Sequence, residues 1–184
     1  MTKPIKVLAM CGSLRAGSYN RMLLHHAIST LGDGYEVTIA DLSALPLYND
    51  DMVSAPPPAV QAFVEQCRTA DGFLIATPEY NHSISGVLKN ALDWASRSAF
   101  GAPLTGKPVT LFGASNGPVG TARAQLALRS ILYMLKMEVI GLPEVLVGFA
   151  QNKFDEDGQF TDETGRKFLK QLLDAFTAKL HHNI

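Results

Sequence analysis

Short apolar runs alternate with longer amphipathic segments along the whole chain, and this alternation limits the folds that the sequence can adopt. The apolar runs have the length of buried strands and cover residues 5–11, 35–40, 72–76, 109–113 and an interrupted last region at 138–140 and 144–147. The amphipathic segments follow at residues 18–30, 59–69, 85–98 and 121–135, before a final helix predicted to be capped by Thr161. Five strand–helix units in strict alternation predict a parallel sheet covered by helices on both faces.

Right-handed crossovers leave few topologies for five such units, and the commonest has the strand order 2-1-3-4-5. The predicted fold class is therefore α/β, a flavodoxin-like three-layer α/β/α arrangement around a five-stranded parallel sheet. We expect residues 1–184 to form a single domain, because no linker or internal repeat interrupts the pattern. In this topology a ligand binds beyond the carboxyl ends of strands 1 and 3, where the winding direction reverses.

The composition excludes several classes of partner. Of the 184 residues, 47% are hydrophobic and 18% are charged, and the formal net charge is −1, so nothing favours binding to nucleic acid or an anionic membrane. We expect neither a signal peptide nor a membrane-spanning segment. Cys11 and Cys67 are predicted to be buried thiols in a reducing compartment, which favours a cytoplasmic protein. No metal site is predicted, because the histidines lack carboxylates at ligand spacing.

The loop after the first predicted strand is rich in hydrogen-bond donors and reads Gly12-Ser13-Leu14-Arg15-Ala16-Gly17-Ser18-Tyr19-Asn20. Its glycines let the backbone turn tightly, so that N–H groups converge at the start of a helix. Arg15 adds a full positive charge, and the combination suits a dianionic phosphate. The alternative is an ordinary serine N-cap after a flexible glycine. The loop matches neither GxxxxGK[ST] nor GxGxxG, which disfavours a nucleoside triphosphatase or a dinucleotide-binding dehydrogenase.

The loops after the third and fourth predicted strands complete a pocket. Residues 77–83 combine a proline, an aromatic residue and polar residues, and residues 114–120 have short side chains. Main-chain amides in such loops can approach a flat heterocycle closely. The alternative for residues 77–83 is a simple turn between strand and helix. Together the three loops predict a pocket with one end for an anion and one flat, hydrogen-bonding end.

With these loops identified, the chain resembles the NADPH-dependent FMN reductase family, and within it the bacterial chromate/quinone reductases. The resemblance is carried by Gly12-Ser13-Leu14-Arg15 with Ser18 and Asn20, by Thr77-Pro78-Glu79-Tyr80-Asn81, by Leu88-Lys89-Asn90-Ala91-Leu92-Asp93-Trp94 and by Gly106-Lys107-Pro108. It covers nearly the whole chain. It implies non-covalently bound FMN, NAD(P)H as co-substrate, and a homodimer that often pairs into a homotetramer.

The resemblance also assigns cofactor contacts residue by residue. It implies that the FMN phosphate is held by Ser13, Arg15, Ser18 and Asn20, with Leu14 and Tyr19 in the same loop. The isoalloxazine ring is then lined by Pro78, Glu79, Tyr80 and Asn81, and its pyrimidine end faces Ser115 and Gly117.

Four positions were compared with the chromate/quinone reductases, and this chain departs from them at two. Arg123 and Glu144 match two members of a hydrogen-bond network that joins subunits there, but Leu126 stands where the network has a tyrosine. A fourth position, Ser85, replaces a proline that is common before the Lys-Asn helix, so we expect an altered start of that helix.

The expected activity is that of an NAD(P)H oxidoreductase that transfers hydride through N5 of FMN to quinones or similar small acceptors, such as azo compounds and chromate. Because donor and acceptor would use one flavin face in turn, we expect a ping-pong two-electron mechanism. No catalytic side chain is assigned. Tyr80 either stacks on a ring or packs between subunits, and His82 either orients a quinone or is a solvated loop residue.

Two other functions remain as alternatives, a reductase of free FMN and a non-enzymatic flavodoxin-type electron carrier. Carriers dock through strongly acidic surfaces, so the net charge of −1 disfavours the second. A phospho-receiver of the same topology is excluded, because Met10-Cys11 and Ala76-Thr77 stand where its acidic cluster would be.

Overall fold

The computed structural model describes residues 4–183, which form six strands and five α-helices. The strands are β1 (Ile5–Cys11), β2 (Tyr35–Ile39), β3 (Gly72–Ala76), β4 (Pro108–Ala114), β5 (Glu138–Ile140) and β6 (Leu146–Val147). The helices are α1 (Tyr19–Leu31), α2 (Pro58–Thr69), α3 (Gly86–Ala95), α4 (Ala122–Met134) and α5 (Glu163–Asn183). The predicted alternation of strands and helices is confirmed.

The strands pair in the order β2-β1-β3-β4-β5, and every pairing is parallel. This confirms the flavodoxin-like topology. The fifth strand position is divided, because β5 pairs with the start of β4 while β6 pairs with its end, where Gly113 lies opposite Leu146. The segment between β5 and β6 includes Pro143, which has no N–H to donate to a strand ladder.

Helices cover both faces of the sheet and bury two apolar cores. Side chains alternate along β1, so that Leu8 and Met10 belong to the core under α2, α3 and α4, whereas Val7 and Ala9 belong to the core under α1 and α5. Trp94 is fully buried in the first core and Phe176 in the second. The two layers hold the sheet rigidly, and its carboxyl edge is left for the loops.

Both cysteines are buried, as predicted. Burial raises the pKa of the Cys67 thiol to about 12, and it also raises the pKa of Cys11. Neither thiol is therefore poised as a nucleophile.

The starts of two helices refine the sequence analysis. Helix α5 begins at Glu163, and Asp162 caps it by accepting a hydrogen bond from the Gly165 N–H at 3.2 Å, so the prediction of Thr161 as the cap is wrong by one residue. Ser85 caps α3, since its Oγ accepts from the N–H of Leu88 at 3.3 Å. A serine therefore serves the helix start at the position where the family commonly has proline.

Between residues 4 and 183, no helix is both long enough and apolar enough to cross a membrane.

Close packing at the end of β4 makes a glycine necessary there. A Cβ atom on Gly113 would overlap with Oγ1 of Thr121 and with the carbonyl oxygen of Thr77. The backbone carbonyl cannot move without disturbing β3, so we expect Gly113→Ala to lower the free energy of unfolding by about 3 kcal/mol. Gly86→Ala is the matched control, because a Cβ at this first residue of α3 meets no atom within 4 Å. Urea unfolding that shows equal effects of the two substitutions would contradict this packing.

Candidate functional site

A cavity of about 260 Å³ lies over the carboxyl ends of β1, β3 and β4. Nine of the twelve residues predicted to contact a cofactor line it, namely Ser13, Arg15, Ser18, Tyr19, Asn20, Pro78, Glu79, Tyr80 and Ser115. Ala114 and Asn116 line it as well, although the sequence analysis did not select them. The other three predicted residues, Leu14, Asn81 and Gly117, are exposed beside the cavity. The sheet topology therefore brings the three predicted loops together.

The loop between β1 and α1 presents an unusual run of unpaired donors. The backbone N–H groups of eight consecutive residues, 13–20, donate to no acceptor within the described part of the chain. Three of these residues, Ser13, Ser18 and Asn20, are buried. Buried N–H groups almost always have a partner, and the first turn of α1 contains no acidic residue to supply one. The loop is therefore a nest for an anion at a helix N-terminus.

Arg15 adds a positive charge to this nest. Its guanidinium donates to the carbonyl oxygen of Gly17 and lies 5.5 Å from the centre of the Tyr19 ring. It forms no ion pair with any carboxylate of residues 4–183. The charge is thus positioned by contacts within its own loop and is left for an external anion, which fits the phosphate of FMN.

Ser18 and Asn20 also have structural roles in the loop. The Oγ of Ser18 accepts from the N–H of Arg21 at 3.3 Å and caps α1, which leaves its hydroxyl proton for a ligand. The Asn20 amide bonds with both polar atoms to the backbone of Ala114, at 2.8 Å and 2.9 Å. Asn20 therefore ties the start of α1 to the end of β4, and its side-chain amide keeps only one N–H with which to contact a phosphate.

Glu79 connects the loop after β3 to the start of α4. Its Oε2 accepts from the backbone N–H groups of Arg123 at 2.9 Å and Ala124 at 3.2 Å, and its Oε1 lies 3.3 Å from Nη1 of Arg123. Thr121, at the N-cap position, makes no side-chain capping bond, so Glu79 caps α4 in its place. Burial alone raises the pKa of the Glu79 carboxyl, but the hydrogen bonds from Ala124 and Arg123 outweigh burial and hold this pKa below its ordinary value.

A two-residue turn after β3 forms the outer rim of the cavity. Tyr80 and Ser83 exchange two backbone hydrogen bonds of 3.0 Å, and both residues between them have positive φ, 50° at Asn81 and 64° at His82. This geometry is a tight hairpin turn, so the rim is rigid. Tyr80 is 50% exposed.

The loop after β4 offers fewer amides than the sequence suggested. The Ser115 N–H donates to the carbonyl oxygen of Val147 at 2.9 Å, which extends the pairing of β4 with β6. The N–H groups of Asn116 and Gly117 have no acceptor within residues 4–183. Phe149 supports this loop by donating its N–H to Gly117, and it does so with a positive φ of 49°. No sequence pattern indicates a left-handed phenylalanine, so Phe149 was missed.

Arg123 and Glu144, which match an inter-subunit network in the family, make their contacts within this chain. Arg123 pairs with Glu79, and Oε1 of Glu144 lies 3.0 Å from Nη2 of Arg129. Leu126 is 70% exposed on α4.

The parallel sheet has this strand order, an anion nest at the end of β1, and loops with free amides beyond β3 and β4. These features are typical of a flavodoxin-like protein that binds a mononucleotide. The NADPH-dependent FMN reductase family matches residues 5–152, and the chain belongs to this family. It is accordingly an oxidoreductase whose cofactor is FMN and whose co-substrate is NAD(P)H.

Similar proteins support this membership over nearly the full length. An NAD(P)H-dependent FMN reductase of Pseudomonas aeruginosa is 49% identical over 176 residues, which cover 95% of each chain. A 2-hydroxy-1,4-benzoquinone reductase of a Burkholderia species is 39% identical over 174 residues, also 95% of each chain. The solved structure of FerB, a flavoenzyme NAD(P)H:(acceptor) oxidoreductase of Paracoccus denitrificans, matches with a TM-score of 0.89 and 33% identity, covering 97% of this chain and 98% of that one.

The capping carboxylate of Glu79 predicts a pH-dependent contribution to stability. Because its pKa is lowered in the folded state, the contribution is complete above the ordinary carboxyl pKa and is lost as the pH falls through the lowered value. We expect Glu79→Gln to cost about 1 kcal/mol at pH 7 and to cost progressively less as the pH drops below about 4.3. Glu65→Gln, which removes an exposed pair with Arg68, should cost less than about 0.5 kcal/mol. Urea titrations from pH 3 to pH 7 measure this, and a Glu79→Gln cost that does not change with pH would show that the carboxylate does not cap α4.

Proposed function

We propose that this protein transfers two electrons from NAD(P)H to quinones and similar small acceptors, with FMN held in the cavity over β1, β3 and β4. The observation that carries the proposal is the run of eight unpaired N–H groups at residues 13–20 beside the guanidinium of Arg15. When bound, the flavin supplies the redox chemistry, accepting hydride at N5 and passing on two electrons. The relative named as a 2-hydroxy-1,4-benzoquinone reductase supports quinones as acceptors.

The residues of the first loop bind the phosphate. Arg15 supplies charge, and the hydroxyls of Ser13 and Ser18 supply further donors. Leu14 and Tyr19 contribute backbone N–H groups, so their side-chain identity matters less there than their position in the nest.

The residues of the other two loops bind the flat ring. Pro78 is buried and rigid, and Glu79 fixes its loop against α4. Tyr80 and Asn81 form the rim next to the ring, and Gly117 and its neighbour Asn116 direct N–H groups to the pyrimidine end. Ser115 contributes through its side chain and position, since its N–H is already bonded to Val147.

An open rim supports alternate use of one site by donor and acceptor. Tyr80 is half-exposed and His82 is exposed, so either reactant can reach the ring from solvent. Of the described residues that line the cavity, Glu79 is the one carboxylate, and it is held ionised against α4. The cavity thus offers no protonated carboxyl group, and we assign proton uptake by the acceptor to water at the open rim.

The remaining expectations concern assembly and location. We propose that residues 1–184 act as one cytoplasmic FMN-binding domain that forms a homodimer or a homotetramer. Large apolar side chains on α4 and on the connection between β5 and β6 support self-association, because Leu126, Tyr133, Met134 and Leu142 are each at least 70% exposed.

The family's own name keeps the reduction of free FMN as a second candidate function. In that case added FMN would be the best acceptor and would exchange with the bound molecule. A flavodoxin-type carrier is less well supported, since the net charge of −1 gives no acidic docking surface.

Rapid mixing with NADH or NADPH in the absence of oxygen tests the proposed activity. We expect bleaching of the flavin absorbance within one turnover and then re-oxidation by one equivalent of benzoquinone. In steady state, benzoquinone should give a higher kcat/KM than free FMN, an azo dye or chromate, with parallel double-reciprocal plots. The matched control is the FMN-free protein, which should turn over benzoquinone, the azo dye and chromate only after FMN is added back.

Two outcomes would overturn this proposal. A flavin that stays oxidised with both nucleotides would identify a carrier, and a kcat/KM for free FMN above that for quinone would identify a flavin reductase.

A further inference from the structure

A second cavity lies on the other side of the loop that forms the phosphate nest. It has a volume of about 330 Å³ and is found beyond the carboxyl end of β2, between that strand and α1. The loop separates the two cavities, since Ser13 and Arg15 line the first while Leu14, between them, lines the second. A ligand that extends past the phosphate nest along the edge of the sheet would enter this second cavity.

Two side chains of α1 supply donors to the second cavity. Arg21 and His25 are four residues apart and line the cavity from the same face of the helix. Neither side chain makes a hydrogen bond or an ion pair with any residue between 4 and 183. A guanidinium that makes no direct bond to a carboxylate, although it attracts Asp41 across the cavity, is suited to bind a phosphate group together with an imidazole one helical turn away.

A fixed carboxylate stands at the end of β2. Oδ1 of Asp41 accepts from the backbone N–H of Ser43 at 3.0 Å and from its hydroxyl at 2.6 Å. Oδ2 has no hydrogen-bond partner in the described part of the chain, so it remains for a ligand hydroxyl. In dinucleotide-binding α/β folds an acidic residue after β2 binds the 2′-hydroxyl of NAD, whereas a nearby arginine accommodates the 2′-phosphate of NADP. Leu14 and Ile39 add apolar surface suited to a purine.

We infer that this cavity binds the adenosine half of NADPH, with Arg21 and His25 on the 2′-phosphate and Asp41 on the remaining 3′-hydroxyl of the ribose. The inference rests on the proposed function, because it requires nicotinamide to reach the ring site over β3 and β4. Neighbouring strands lie about 4.8 Å apart, so the end of β2 is about 10 Å from the end of β3. The pyrophosphate of a dinucleotide links two nucleosides across a separation of this order.

Arg97, an arginine just after α3, already has partners within the chain. Its guanidinium lies 5.0 Å from the centre of the Tyr48 ring, and it donates to the hydroxyls of Ser96 and Tyr48. These contacts hold the segment after β2 against α3. Arg21 is therefore the better candidate for selecting a phosphorylated nucleotide.

The inference is tested by the ratio of kcat/KM for NADPH to kcat/KM for NADH. This ratio is measured for the wild type, for Arg21→Ala, for Arg21→Ala/His25→Ala and for the matched control Arg166→Ala. Arg166 is an exposed arginine of α5 with no side-chain hydrogen bond or ion pair within residues 4–183. We expect Arg21→Ala to lower the ratio about 10- to 100-fold, the size of a charge-assisted phosphate contact. The double variant should lower it further, and Arg166→Ala should leave it within about twofold.

Binding to the FMN-loaded protein gives a readout that does not depend on turnover. Calorimetry should show that adenosine 2′,5′-bisphosphate binds more tightly than 5′-AMP or inorganic phosphate, and that Arg21→Ala removes this difference. Urea midpoints and flavin spectra establish that each variant is folded and loaded.

The outcomes separate this inference from the proposed function. A wild-type protein that oxidises neither nucleotide contradicts the proposed function itself. The assignment of the second cavity alone is overturned if the wild-type protein turns over but Arg21→Ala leaves the nucleotide ratio or the bisphosphate affinity unchanged.

Discussion

Eight consecutive backbone N–H groups between β1 and the first turn of α1 have no acceptor among the described residues, and the rest of the site depends on this feature. A buried donor left unsatisfied costs about 1–3 kcal/mol, so the N–H groups of the buried residues Ser13, Ser18 and Asn20 are stable only next to water or an anion. The partial positive charge at the N-terminus of α1 and the guanidinium of Arg15 both favour an anion. In the proposed function, the FMN phosphate is this anion.

The neighbouring elements hold this nest and the ring cavity in one rigid arrangement. Asn20 joins α1 to the end of β4 through two hydrogen bonds, and Glu79 joins the loop after β3 to the start of α4. Gly12 allows the first loop to approach the loop after β3, because a Cβ there would lie 2.8 Å from Cδ of Pro78. These contacts connect the three loops to one another.

The sequence predicted the strand order, because strand periodicity reports it directly. Loop composition likewise predicted which edge of the sheet carries the site, and it predicted most of the residues that line the cavity. The roles of individual side chains did not, since they depend on partners far away in the chain. Asn20 was read as a phosphate donor, and only the fold shows that Ala114, 94 positions away, occupies most of its amide. Glu79 likewise caps a helix that begins more than forty residues later. The N–H of Ser115 is bonded to Val147 because the fifth strand is divided, and so it is not available to a ligand. The left-handed backbone of Phe149 has no sequence signature.

The affinities of the FMN-free protein for FMN and for riboflavin, measured for the wild type and for Arg15→Ala, test the central claim most directly, because the two flavins differ only in the phosphate. The account predicts that Arg15→Ala weakens FMN binding about 10- to 100-fold, as expected for a charge-assisted contact of about 1.5–3 kcal/mol, and changes riboflavin binding by less than about twofold. Equal effects of the substitution on the two flavins, or no effect on FMN, would contradict a phosphate site in the loop between β1 and α1.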